Sequence, residues 1–325
     1  MTLAKPKAVA KPQPGTASVP GWAAREAARA AAATQRRQAA GLAAVARRIV
    51  GSTWLILAAC LLGFGAWLTF GSRLAYDRAQ HDIYANFRAA LAGATAPTGP
   101  TQPANPGQLL TPDTPVAVLS IPEIGLRAVV LEGTSGQVLA NGPGHLRDTV
   151  LPGQAGLSEI LGRRAAYGGP FGKLSTLTPG GTFTVTTGQG VATYRVLDVR
   201  RPGDIEPPLT AGQGRLELIT ADGPPFAPSG VLRVDADLVS KPWPAPPMVV
   251  SAADVSSAER VLGTDPLAWV PLVLWGQALV LTVGALAWMA ARWGRWQTWI
   301  VAVPVVTYIG VSICEEVTRL LPNLM

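Results

Sequence analysis

Three stretches of this sequence run uncharged for longer than a helix in a soluble domain needs. Twenty-four residues separate Arg48 from Arg73, twenty-six separate Asp265 from Arg292, and nineteen separate Arg295 from Glu315. A helix takes about 20 apolar residues to cross a hydrocarbon core of roughly 30 Å. Residues 49–72, 266–291 and 296–314 therefore predict three transmembrane helices. Trp54, Trp67, Trp269, Trp288, Trp296 and Trp299 fall near the ends of these runs, where amphipathic rings favour the headgroup zone. These runs also account for a composition that is 48% hydrophobic and only 14% charged.

The net charge of +7 is not spread over the chain. Residues 1–48 hold nine Lys/Arg and a single acid, Glu26, so the rest of the chain is close to neutral. Basicity packed against one side of a first span is the positive-inside pattern, and it argues against a nucleic-acid face. Arg292 and Arg295, between the second and third runs, agree with it. The predicted topology puts the basic tail inside, residues 73–265 outside, and Glu315 and Glu316 outside again. The first run lies too far from the start for a cleaved leader, so it is read as an anchor. Arg25, Arg29 and Arg36, near helical spacing in residues 21–48, suit either an anionic leaflet or a solvated tail.

Cys60 and Cys314 both lie within the apolar runs, so the exterior region has no thiol and no disulfide. No metal or cofactor is implied. The stretch "GGPFGKLS" matches a phosphate loop poorly, with Tyr167 in place of its first glycine and Leu174 in place of its hydroxyl. Gln277 in the second run reads as interhelical glue, and Ala59 with Gly63 as a small-residue step in the first.

Outside the membrane, residues 73–114 read as a helical stalk with Leu74, Ile83, Tyr84, Phe87 and Leu91, followed by a Pro-rich spacer too poor in apolar residues to fold. A linker, 241–265, opens on "KPWPAPP". Between them, residues 115–240 supply six β segments: 116–121, 127–132, 182–187, 191–199, 215–220 and 231–239. Gly188-Gln189-Gly190 joins two of them as a hairpin. Short strands without long helices between them predict an antiparallel barrel or sandwich.

The blocks "VAVLSIPEIGL", "VVLEGTSGQVLANGPGH", "LPGQAG", "YGGPFGKLSTLTPGGTFTV", "YRV" and "LELIT" resemble, in order and spacing, the sortase domain, in particular the class E type of actinobacteria. The resemblance implies a mainly β fold, an eight-stranded barrel outside the membrane. It also implies an exterior cysteine transpeptidase in which Gly-His-Arg ends one strand, Thr-Leu-x-Thr-Cys ends another, and the last strand gives an arginine. Carried over, Gly-His-Arg falls on Gly162-Arg163-Arg164, which sets Arg163 at the histidine. Thr-Leu-x-Thr-Cys falls on Glu217-Leu218-Ile219-Thr220-Ala221, which sets Ala221 at the nucleophile. The arginine falls on Val231, with Arg233 two residues on and on the same strand face.

A methyl group is no nucleophile, and a guanidinium is no general base near neutral pH. Thr220 and Asp222 point to the opposite strand face from Ala221. His145, in "GPGH", reads as structural and His81 as solvated. The expectation is an inactive sortase homologue in the cell membrane that binds or scaffolds secreted or cell-wall proteins, or a sorting-signal peptide, with an active sortase as a further partner. Arg163, Arg164, Thr220, Asp222 and Arg233 are its peptide-cleft candidates; the alternative for Arg163 is an ion pair with Glu159 or Asp222. Two other readings are an active enzyme with a non-standard nucleophile, such as Thr220 or Ser229, and an accessory subunit of a transport complex.

Overall fold

In the computed structural model the described residues are 60–325, with the scattered positions 21, 22, 25, 26, 29, 30, 32, 33, 35, 36, 54 and 58. The basic tail 1–48 lies mostly outside them, and of the first expected span, 49–72, residues 54, 58 and 60–72 are described. Gly63–Met325 forms one compact unit.

A π-helical turn, Trp67–Gly71, leads into helix α1 (Ser72–Ala92). The expected stalk does not stand free. Phe87 is fully buried against Val118, Val129, Leu131 and Val138, with Ile83, Tyr84 and Leu91 around it, because these side chains line one helix face at three- and four-residue steps. Gln80 clamps the contact. Its Nε2 donates to the Val129 and Asn141 carbonyls at 3.1 and 2.8 Å, and its Oε1 accepts from the Val129 N–H at 2.7 Å. Nor is the spacer unstructured: β1 (Thr101–Gln102) and β2 (Asn105–Leu109) pair antiparallel, and Ala96 and Leu110 are buried beside them. A few apolar residues suffice there because the barrel supplies the other wall.

The barrel comprises β3 (Pro115–Ile121), β4 (Leu126–Glu132), β5 (Gly144–His145), β6 (Gly156–Leu161), β7 (Thr182–Thr187), β8 (Gly190–Arg200), β9 (Gly214–Asp222) and β10 (Gly230–Leu238). A short helix, α2 (Val138–Asn141), precedes β5. It closes in the order β10-β8-β7-β3-β4-β5-β6-β9, so no edge is left open. The six expected strands are all present, and β5 and β6 complete the ring. The β4–β5 and β6–β9 pairs are parallel.

Alternation decides what each face does. Ile160 of β6, Leu216 and Leu218 of β9, and Leu232, Val234 and Ala236 of β10 point into the barrel with Phe171, Phe183 and Tyr194. Their neighbours Leu161, Ile219, Ala221 and Val231 form a second apolar cluster on the outside. Linker residue Trp243 caps one end. Its N–H donates to the Gly153 carbonyl at 2.9 Å, and its carbonyl accepts from Ala155 at 3.0 Å. A Cβ at Gly153, where φ is +91°, would lie 2.1 Å from the indole, so only glycine fits there.

Two described helices, not three, are long and apolar enough to cross a membrane: residues 266–292 and 296–320. They overlap α3 (Trp269–Arg292) and α4 (Arg295–Leu320), joined by a tight turn and touching through Trp275 edge-on to Tyr308 at 5.7 Å. α4 runs past the expected end at residue 314. Its charged last turns are tied down as Arg319 pairs with Glu316 at 2.9 Å and with Asp265 at 2.5 Å, and a cation suits a helix C-terminus.

Phe87→Ala is expected to destabilise the unit by about 3–5 kcal/mol, the usual range for deleting a buried ring. A fall in the thermal midpoint of the detergent-solubilised protein checks it; an unchanged midpoint would mean α1 does not depend on the barrel.

Candidate functional site

The outer face of β6, β9 and β10 is where the resemblance places the chemistry. Parallel pairing sets Leu161 opposite Ile219, and antiparallel pairing sets Val231 opposite Ala221 and Arg233 opposite Ile219. Ala221 therefore sits on the outer face at the end of β9, with only 1% of its surface exposed. Thr220 points the other way, fully buried, and its hydroxyl donates to the Gly162 carbonyl at 2.9 Å. Asp222 pairs with the exposed Arg201 at 3.6 Å.

Arg163 does not form the floor of a basic cleft. It is 1% exposed, and its donors go to two backbone carbonyls, Nε to Leu139 at 3.2 Å and Nη2 to Gly136 at 2.7 Å. Its guanidinium carbon lies 4.9 Å from the centre of the Tyr167 ring. Burial lowers its pKa to about 10, partly offset by Tyr167, so it stays a cation at neutral pH. The ion pair with Glu159 or Asp222 is not formed either; carbonyl oxygens and a ring face take the place of a carboxylate. The sequence could not show this, because Gly136 and Leu139 approach only once α2 has folded over the strand end.

Arg164 is half-buried beside the outer face. Its Nη1 donates to the Ala221 carbonyl at 3.1 Å, and its N–H donates to the Leu324 carbonyl at 2.9 Å. Arg233 is held lower down the face, with Nη1 2.9 Å from Glu217 Oε1. Glu217 is shared with Arg200, whose Nη2 lies 2.8 Å from it and whose Nε binds Asp235. Glu159 stands beside Glu217 across the parallel pair. Burial, and then the charge of Glu217, push Glu159 up to about 7, against the pull of Arg233. The five cleft candidates thus separate into one buried cation, one bridge, one inward hydroxyl and two ion-paired groups.

Residues 134–136, 258–263 and 321–325, which close over this face, had no signal in the sequence reading. Leu324 is fully buried in the outer cluster with Leu139, Leu161, Ile219 and Ala221. It reaches the barrel because α4 ends there, with Thr318 hydroxyl 3.1 Å from the Tyr167 hydroxyl. His145 lies elsewhere, buried, and binds Glu132 through Nδ1 and the Val150 carbonyl through Nε2, each at 3.0 Å. Among the described residues no His/Cys/Asp/Glu group is placed to hold a metal ion.

The family model of the sortase domain matches residues 119–237, which are β3 to β10. The solved sortase E from Streptomyces avermitilis is 32% identical over 40% of this chain and 91% of that one, with a TM-score of 0.35. The chain belongs to the sortase family. Two further sortases are similar: sortase C-1 from Actinomyces oris, 28% identical over 39% of this chain and 75% of that one at a TM-score of 0.35, and the Clostridium perfringens sortase D5 transpeptidase, 18% identical over 51% and 99% at 0.40. Among curated proteins, none matches the chain.

In this sortase domain His145 is held in the interior between the Glu132 carboxylate and the Val150 carbonyl. Burial would drive its proton off, but the Glu132 carboxylate, by charge and hydrogen bond, and the Val150 carbonyl outweigh it and raise the imidazole above its ordinary value. A raised folded pKa gives stability that is full below the unfolded value of about 6.5 and is lost as pH rises through the folded value. The thermal midpoint should therefore drop as pH rises above about 6.5, and His145→Gln should remove that component of the slope. The same slope in wild type and His145→Gln would contradict the assignment.

Proposed function

We propose that this chain is a membrane-anchored sortase-domain protein that binds or scaffolds secreted or cell-envelope proteins without cutting them. The observation that carries the reading is the methyl group of Ala221 at the outer end of β9, where the family resemblance puts the nucleophile. It is supported by Arg163, whose donors are spent on Gly136 and Leu139, and which cannot accept a proton at neutral pH. Two helices apolar enough to cross a membrane, 266–292 and 296–320, support an anchor, and the basic composition of residues 1–48 supports an exterior barrel.

Binding in this reading uses shape more than charge. With Arg163 enclosed and Arg233 neutralised by Glu217, the outer face holds Leu161, Ile219, Ala221 and Val231 as an apolar strip beside Arg164, covered by Leu324. An extended peptide laid along it would bury one or two apolar side chains, each contributing roughly 1.5–3 kcal/mol before ordering costs. The second reading, an enzyme with an unrecognised hydroxyl nucleophile, must work with Thr220, whose hydroxyl faces inward and is donated to Gly162, or with Ser229, whose N–H donates to the Asp222 carbonyl at 2.9 Å.

The full-length protein in detergent, incubated with a peptide carrying a sortase sorting signal, is expected to leave it uncut. Cleavage would contradict the reading, and its loss in Thr220→Ala or Ser229→Ala would identify the nucleophile of the second one.

A further inference from the structure

The segment after α4, Leu321–Met325, lies across the outer face of β9. Asn323 and Leu324 are fully buried, and Met325 nearly so. Leu324 fills the apolar strip, and its carbonyl is read by the Arg164 N–H at 2.9 Å. Arg164 also donates to the Ala221 carbonyl, so one residue ties the strand end to the segment. This is the arrangement of a bound peptide: a side chain in a pocket and a main-chain hydrogen bond beside it.

The Asn323 seat shows that the fit is incomplete. Its backbone N–H donates to the Gly263 carbonyl at 2.9 Å. Its Nδ2 faces three carbonyls, Thr134 and Arg260 at 2.9 Å and Ala258 at 3.3 Å. An amide has two N–H donors, so one carbonyl is shared, and Oδ1 is buried without a partner. A stranded buried acceptor weakens the segment's hold relative to a fully satisfied peptide.

We infer that this face is a peptide-docking groove kept occupied in cis by the chain's own segment Leu321–Met325, through Leu324 in the strip and Asn323 in the carbonyl seat. Any partner peptide binds by displacing that segment, so the free groove is a minor state and apparent affinity scales with its population. The inference rests on the non-cutting reading only in taking this face as the binding face; the groove and its occupant do not depend on what chemistry position 221 supports.

The test uses the full chain in detergent and a fluorescent hexapeptide of residues 320–325, Leu-Leu-Pro-Asn-Leu-Met. Leu324→Asp expels the apolar side chain from the strip and should bind the peptide at least about tenfold tighter than wild type does. Adding Ala221→Leu, which fills the strip, should abolish the gain. Asn323→Ala removes the seat's donors without burying a charge and gives the same comparison should Leu324→Asp fail to fold. Equal affinity for wild type and the released variants, or no binding by any of them, would overturn the inference. Peptide cleavage by a variant that binds it would instead overturn the non-cutting reading and leave the groove standing.

Discussion

Strand β9 is buried on both faces, and the rest of the molecule is arranged around that fact. Its inward residues Leu216 and Leu218 belong to the barrel core, which any closed barrel requires. Its outward residues Ile219 and Ala221 need a cover of their own, and the barrel cannot supply one. Part of the cover comes from Leu139, Val261 and Leu262, and part from Leu324, more than a hundred residues on, after two helices that are apolar enough to lie in a membrane. Without it, an apolar strip of strand would face water next to a row of charged groups.

The same constraint explains the charges. On the outer face of β10, Arg233 and Asp235 alternate with the inward core residues Leu232, Val234 and Ala236. The charged side chains can be buried there only as a network, Arg233–Glu217–Arg200–Asp235, in which each carboxylate meets a guanidinium. Glu159 lies beside that network, with no ion pair among the described residues, and burial, followed by the charge of Glu217, raises its pKa. Arg163 is a different case: a cation enclosed by carbonyls and a ring, serving to fasten α2 to the end of β6.

Much of this was legible in the sequence, and the reasons separate cleanly. The six strands with alternating Val, Thr, Leu and Ile announced themselves because their pattern is local. β5 is two residues long, and β6 reads "GLSEIL", with too short an alternation to stand out. The resemblance to sortases located Ala221 and Arg163, but not where their side chains go. Arg163 was expected to line a cleft; it is turned under α2 because carbonyls 24 and 27 residues earlier in the chain fold over it. The docking of α1 hung on Phe87 and Gln80, whose partners are some 30 to 60 residues away. Least legible was the seat of Asn323, which joins Thr134 across 189 residues of sequence. Such a contact depends on the path of the whole chain, and no window of sequence contains it.

The central claim is that the outer end of β9 presents a methyl group sealed beneath the chain's own segment. Accessibility of a thiol placed there tests it most directly. In a background with Cys60 and Cys314 replaced by Ala, Ala221→Cys can be treated with a maleimide in the folded, detergent-solubilised protein. The account predicts labelling at least about a hundredfold slower than in the unfolded chain, because exposure requires local opening. Labelling as fast as an exposed thiol would show the face open and contradict the account.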